Sequence, residues 1–391
     1  VDIPLSHRRF RGRTALAAPG TRTGARGWPP AAIVLLGTLL SLFGLSWDVQ
    51  WHVEVGPDTF FTLSHLALYS GSAIAGVASL VVVLRTTAAQ RAGRAVDPRV
   101  GGQAVRVFGG VFAAPLGYLV SGCGAAMFLL VGLWDQWWHT LYGFDAVLDS
   151  PPHVALFLSI SITMIGPVLT FAAARDLRWG RIGFLLSMPV LMAFSTVTVE
   201  GLSALPSIGV NPMTVGSAFL EVLLLVLAAS CLRRPGATLV IGAVLGALQG
   251  ILWLFSPWAA SAYAVAVGLP LRDNVRSLPA FPSRIPLFLL VGAVAVELVL
   301  WLARRRGWSP RWVLPVAGGA AGVLLAGLTP VQAQLMVGFS GTALRVFVAT
   351  TVAGGAFGAL AGFLGWRFGI MTRAVGRPAA GTRQATEAGV A

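Results

Sequence analysis

The chain reads as an all-α, polytopic transmembrane helical bundle of about ten helices, and three observations carry that reading. Of 391 residues, 56% are hydrophobic and 11% charged, with a strongly positive mean hydropathy, which excludes a water-soluble domain of this size. Apolar runs long enough to cross a hydrocarbon core of about 30 Å recur along the whole chain. All 28 basic side chains are arginine, and they gather in alternate connections between those runs.

Residues 1–30 carry six arginines with Pro and Gly and read as a disordered basic arm. The first run, 31–52, lacks a small-residue cleavage site and leads straight into an acidic, histidine-bearing window. It reads as a retained signal-anchor helix, not a removed leader. The second run, 62–84, is closed by the arginine-bearing stretch 85–106. The third and fourth, 112–138 and 153–174, flank the connection 140–152 and end at the basic stretch 175–181. The fifth and sixth, 182–204 and 213–232, meet across 205–212 and end at Arg233 and Arg234. The seventh, 238–256, opens the longest connection, 257–284, which holds Arg272, Asp273 and Arg276 and is expected to cover the adjoining surface as a lid. The eighth, 285–303, ends at Arg304, Arg305 and Arg306, with Arg311 beyond. The ninth and tenth, 312–329 and 346–366, are joined by 330–344, and 367–391 reads as a disordered tail. Because the basic stretches alternate, both termini are expected in the cytoplasm of a bacterial-type cell (inner) membrane, with the acid-bearing connections outside. The division that follows is a motif-bearing unit at 31–174 and a histidine-free bundle at 175–366.

The formal charge of +14 does not point to nucleic acid, since the arginines form no face interleaved with aromatics. Cys123 and Cys231 both lie inside apolar runs, so neither a disulfide framework nor a thiolate cluster is expected. Any metal ligands are nitrogen and oxygen.

Four of the five histidines fall in two similar windows, Trp47 to His65 and Trp134 to His153. Aligned, Asp48 matches Asp135, His52 matches His139, Asp58 matches Asp145 and, after one inserted residue, His65 matches His153. This implies a two-helix hairpin duplicated in parallel with an offset of 87 residues, from Asp48 to Asp135. Asp and His four apart share one helix face, and the second His opens the next helix, so two imidazoles and a carboxylate can meet at one depth. That donor set points to a transition-metal site in each copy, copper, iron or zinc being compatible with it. Asp58 and Asp145 read as groups that orient an imidazole from behind. Glu54 and Asp149 read as solvated, and the tryptophans of both windows as interfacial anchors. Glu221 and Glu297 fall inside apolar runs, where an ionised carboxylate costs on the order of 2.5 to 3.5 kcal/mol, so each needs a partner, a proton or a cavity. Glu200 lies toward the outer end of its helix, within reach of the motif layer as a ligand or proton acceptor.

The first window resembles the copper-binding segment of the C subunit of particulate methane and ammonia monooxygenases. Asp48, Trp51, His52, Asp58, Thr59, Phe61, Thr62, Ser64 and His65 stand where that pattern places them, and Pro57 and Leu63 depart from it. The likeness covers about 18 residues strongly, the second window more loosely, and implies copper held by Asp48, His52 and His65 near the outer face of the membrane. It also implies a membrane monooxygenase or oxidase component acting on an apolar small molecule and reduced by a partner subunit or a lipid quinol, since no haem, flavin or iron–sulfur motif is present. Two other classes fit the residues: a transporter of metal ions or small solutes that uses Glu200, Glu221 and Glu297 as stepping stones, and a structural or assembly subunit pinned by its metal.

Overall fold

The computed structural model describes residues 27–56, 58–143, 150–203, 205–273, 278–338 and 341–377. The arm 1–26, the tail 378–391, Asp145 and Asp149 lie outside the described residues. Among the described residues ten α-helices follow in order: α1 Trp28–Glu54, α2 Leu63–Arg91, α3 Leu116–Tyr142, α4 Pro151–Ala173, α5 Arg178–Glu200, α6 Pro212–Leu232, α7 Ala237–Val267, α8 Leu289–Arg306, α9 Pro310–Val337 and α10 Leu344–Ala374. All ten are long and apolar enough to cross a membrane, so the chain is an integral, multi-pass membrane protein.

Several helices outrun their apolar stretches. α7 reaches Val267, not residue 256, because Ala259, Ala260 and Ala264 stay buried and the Tyr263 ring packs against Trp47 (edge-on) and Trp51 (tilted) of α1. The lid expected over 257–284 is correspondingly shortened. α9 and α10 likewise extend to Val337 and Ala374, so the first residues of the expected tail are helical. In the other direction, the run begun at 112 opens as a strand: Ala104–Val107 (β1) pairs antiparallel with Phe112–Pro115 (β2) before α3 starts. Thr87 of α2 holds this ribbon, its hydroxyl accepting from Ala113 N–H at 3.0 Å.

Small residues set the helix spacing. In the α1–α2 hairpin a Cβ on Gly44 would stand 2.5 Å from Leu68 N, and one on Gly37 2.7 Å from Gly71 O, so the two backbones touch with no side chain between them. Ser41 Oγ adds a hydrogen bond to Leu68 O at 3.0 Å. The α3–α4 hairpin packs by the same means, Gly124 lying against the Thr163 backbone and Gly166 against Ser121. α5 is the central post. Some 78% of its most apolar window is buried, the largest share among the ten, and Phe184, Met188, Met192 and Phe194 are fully enclosed.

The basic ends of α4, α6 and α10 meet. Arg175, just past α4, donates to Arg373 O at 2.8 Å, and Arg373 of α10 donates to Ser230 O near the end of α6, also at 2.8 Å. These guanidinium groups satisfy carbonyls that a helix C-terminus leaves unpaired.

At the opposite end, the segment between α7 and α8 folds back over α1. Arg272 donates from its backbone to Glu54 O (2.7 Å) and from its side chain to His52 O (3.0 Å) and Val55 O (3.1 Å), closing the C-terminus of α1. Gly56, at φ +101°, leaves the space this guanidinium fills. Glu54, expected to be solvated, is buried and accepts from Gln50 Nε2 at 2.6 Å, while Gln50 Oε1 receives Ala280 N–H at 2.9 Å. Arg272→Gln is expected to raise amide exchange at 53–56 and 268–272 by about ten-fold or more while leaving α5 protected, as read by hydrogen–deuterium exchange.

Candidate metal centre

The first hairpin brings its predicted residues together. Asp48 and His52 lie on the last turns of α1, and Ser64 and His65 on the first turn of α2. One ligand atom from each of Asp48, His52 and His65 lies within 4.8 Å of the other two. His65 Nε2 is 3.0 Å from Asp48 Oδ1, and His52 Nδ1 is 3.7 Å from Asp48 Oδ2.

The orientation of the rings is set by backbone carbonyls. His52 Nδ1 is 2.8 Å from Asp48 O, and His65 Nδ1 is 2.9 Å from Thr59 O. A carbonyl only accepts, so each Nδ1 carries a proton, and Nε2 is the nitrogen left to take a second proton or, in a neutral ring, to bind a metal. Both Nε2 atoms face the side chain of Asp58, whose Oδ2 stands 3.1 Å from His52 Nε2 and 3.2 Å from His65 Nε2. Asp58 thus lies on the ligand side of the imidazoles. Its expected position behind a ring is taken by the carbonyls.

The turn between the helices explains that placement. Asp58 Oδ1 accepts Thr59 N–H at 2.7 Å, and Thr62 Oγ1 accepts the same N–H at 2.9 Å, which leaves Oδ2 directed inward. Oδ2 is buried and makes no hydrogen bond of good geometry despite its two close nitrogens. Burial alone would raise the Asp58 pKa. The facing imidazoles of His52 and His65, when protonated on Nε2, and the Thr62 hydroxyl outweigh it and hold the carboxyl below its ordinary range.

These spacings suit an ion. Ligands at about 2.1 Å from a common centre lie about 3.0 Å apart at right angles and about 3.4 Å apart at tetrahedral angles. Three of the edges between the two Nε2 atoms and the two carboxylates are 3.0–3.2 Å, and two imidazole nitrogens with carboxylate oxygen are a donor set that zinc, copper and iron all accept. Behind it, Ser64 Oγ donates to Asp48 Oδ1 at 2.7 Å. Ser64→Ala is expected to weaken metal binding by about 10- to 100-fold without unfolding the hairpin, as measured by competition with a chelator.

No family model, curated protein or solved structure matches this chain.

The second hairpin gathers Asp135, His139 and His153 in the same sense. Asp135 carboxylate oxygens lie 3.4 Å from His139 Nε2 and 3.6 Å from His153 Nε2. His139 Nδ1 is 2.9 Å from Gly143 O, and His153 Nδ1 is 2.9 Å from Ser150 Oγ, the hydroxyl that caps α4. Again Nε2 is the inward nitrogen.

Glu200 does not join either cluster. It pairs with Arg284 beside a cavity of about 910 Å³ bounded by α5, α6, α9 and the connection 278–288. The tryptophans of the first window also depart from expectation: Trp51 is 1% exposed and packs on Tyr263, so it fixes α1 to α7 and is no interfacial anchor, whereas Trp134 and Trp137 of the second window are exposed. Arg272 carried no sign of its role in the sequence beyond being an arginine on the wrong side for the charge pattern. Gln249 of α7 and Gln332 of α9 have a role that residue type alone does not announce. They donate to Pro282 O, Ser283 O and Ile285 O at 2.8 to 3.0 Å and so hold the short 3-10 turn Pro282–Arg284 and the residue after it ahead of α8.

Proposed function

We propose that this membrane protein holds a transition-metal ion at Asp48, His52 and His65, with copper the metal its resemblance to the monooxygenase C subunit suggests. The observation that carries the reading is the pair of Nδ1–H groups tied to Asp48 O and Thr59 O, which turns both Nε2 atoms toward the carboxylates of Asp48 and Asp58, where an ion replacing their protons would be held. Bound there, copper would supply one-electron redox chemistry. The chain's own part is to fix the ligands, shield them beneath Arg272 and the α7–α8 connection, and admit an apolar molecule from the bilayer.

The second hairpin is a copy of the first with a related site at Asp135, His139 and His153, and the clustering of arginines at the ends of the even-numbered helices supports a cytoplasmic location for that end and an outer-face location for both sites. Oxidation of an apolar substrate, with electrons from a partner subunit or a quinol, is the activity this arrangement favours.

Elemental analysis of protein purified in mild detergent tests the reading. Copper retained through chelator dialysis and lost in both His52→Ala and His65→Ala supports it; weak, exchangeable binding of several divalent ions favours a transporter instead.

A further inference from the structure

The three carboxylates that sequence placed within the membrane bundle have different fates. Glu200 pairs with Arg284, and Glu297 accepts from Thr238 Oγ1 at 3.0 Å with Arg304 at 3.8 Å. Glu221 on α6 is fully buried, receives only Ser195 Oγ on Oε1 at 3.0 Å, and has no hydrogen-bond partner on Oε2. Among the described residues, it makes no ion pair with any arginine.

Glu221 lines the 910 Å³ cavity. That space is large for a bare ion, which would need a closed shell of oxygens, and its walls include Met213, Leu325, Met336, Val337 and Phe288. The ionisable side chains on its lining are Glu200, Glu221 and Asp273 with Arg272 and Arg284; Glu200 pairs with Arg284 and Arg272 is engaged by the α1 carbonyls, which leaves Glu221 as an acid with no basic partner among the described residues. An anionic head would meet an acid with no base to offset it. A cation on an apolar body suits it.

We propose that this cavity is a binding site for an organic ammonium ion, an apolar amine whose charged head meets Glu221. Polar neighbours at that depth, Thr196 and Ser217, can take the remaining N–H groups, while the alkyl body lies against Leu325 and Met336. The Glu200–Arg284 pair and Gln332 hold the wall formed by 278–288 and so give the pocket its shape. The site is separate from the Asp48 cluster and stands whether or not a metal binds there.

Isothermal titration of the full chain in lipid nanodiscs, with empty discs subtracted, tests this with n-hexylammonium, 1-hexanol and hexanoate. Saturable binding of n-hexylammonium is expected, with 1-hexanol and hexanoate about ten-fold or more weaker and Glu221→Gln weakening the amine to a similar degree. Ser217→Phe, which fills the pocket with Glu221 in place, should also remove binding, and His52→Ala should not. Absence of saturable amine binding, equal binding of 1-hexanol or hexanoate, or unchanged affinity in either Glu221→Gln or Ser217→Phe overturns the proposal.

Discussion

Replacing His65 with alanine, in a chain that already carries His139→Ala and His153→Ala so that only the first hairpin can bind, is expected to lower retained metal from about one ion per chain to background. The loss follows from geometry. His65 Nε2 lies 3.0 Å from Asp48 Oδ1 and also faces Asp58 Oδ2 at 3.2 Å, so its removal leaves one imidazole between two carboxylates. His52→Ala removes the other nitrogen and is expected to have the same result. Because loss of groups that merely orient a ligand already costs about 10- to 100-fold in affinity, loss of a ligand should exceed that range. Elemental analysis after chelator dialysis reads the outcome, and thermal unfolding of the apo proteins separates it from a folding defect.

The second large effect is expected at Gly44, which contributes no ligand. It lies one helical turn before Asp48, where α1 touches the Leu68 backbone of α2. Any Cβ at this point would stand 2.5 Å from Leu68 N, so Gly44→Leu must push the helices apart by more than a side-chain shift can absorb. Overpacking of this kind costs about 1–3 kcal/mol or more. The displacement also carries Ser64 and His65 away from Asp48 and His52. Gly44→Leu should therefore lose both metal and thermal stability, whereas His65→Ala should lose only metal. That contrast separates ligand chemistry from hairpin packing.

Most of the fold is legible in the sequence because crossing a bilayer imposes a length and an apolarity that few other structures share, and because arginine marks alternate ends. The ten apolar runs correspond to the ten helices, with the ends misjudged where a helix leaves the hydrocarbon yet keeps packing, as α7 does through Tyr263. The gathering of Asp48, His52 and His65 is legible for a related reason: four residues make one helical turn, and a short connection returns the next helix to the same depth. Asp58 was harder. Its side of the imidazoles depends on which oxygen Thr59 N–H engages, a detail of one turn that residue type does not encode. The cavity, the Arg272 cap on α1 and the Gln249 and Gln332 supports were not legible at all, since each joins residues tens to hundreds of positions apart through packing that no local pattern records.

X-ray absorption at the metal edge of the copper-loaded His139→Ala/His153→Ala protein tests the metal reading most directly. The arrangement of the first hairpin predicts two imidazole nitrogens with carboxylate oxygen at about 2.0–2.2 Å, and loss of the imidazole scattering when His52 and His65 are both replaced. A spectrum without imidazole scattering, or one unchanged by those two substitutions, would contradict it.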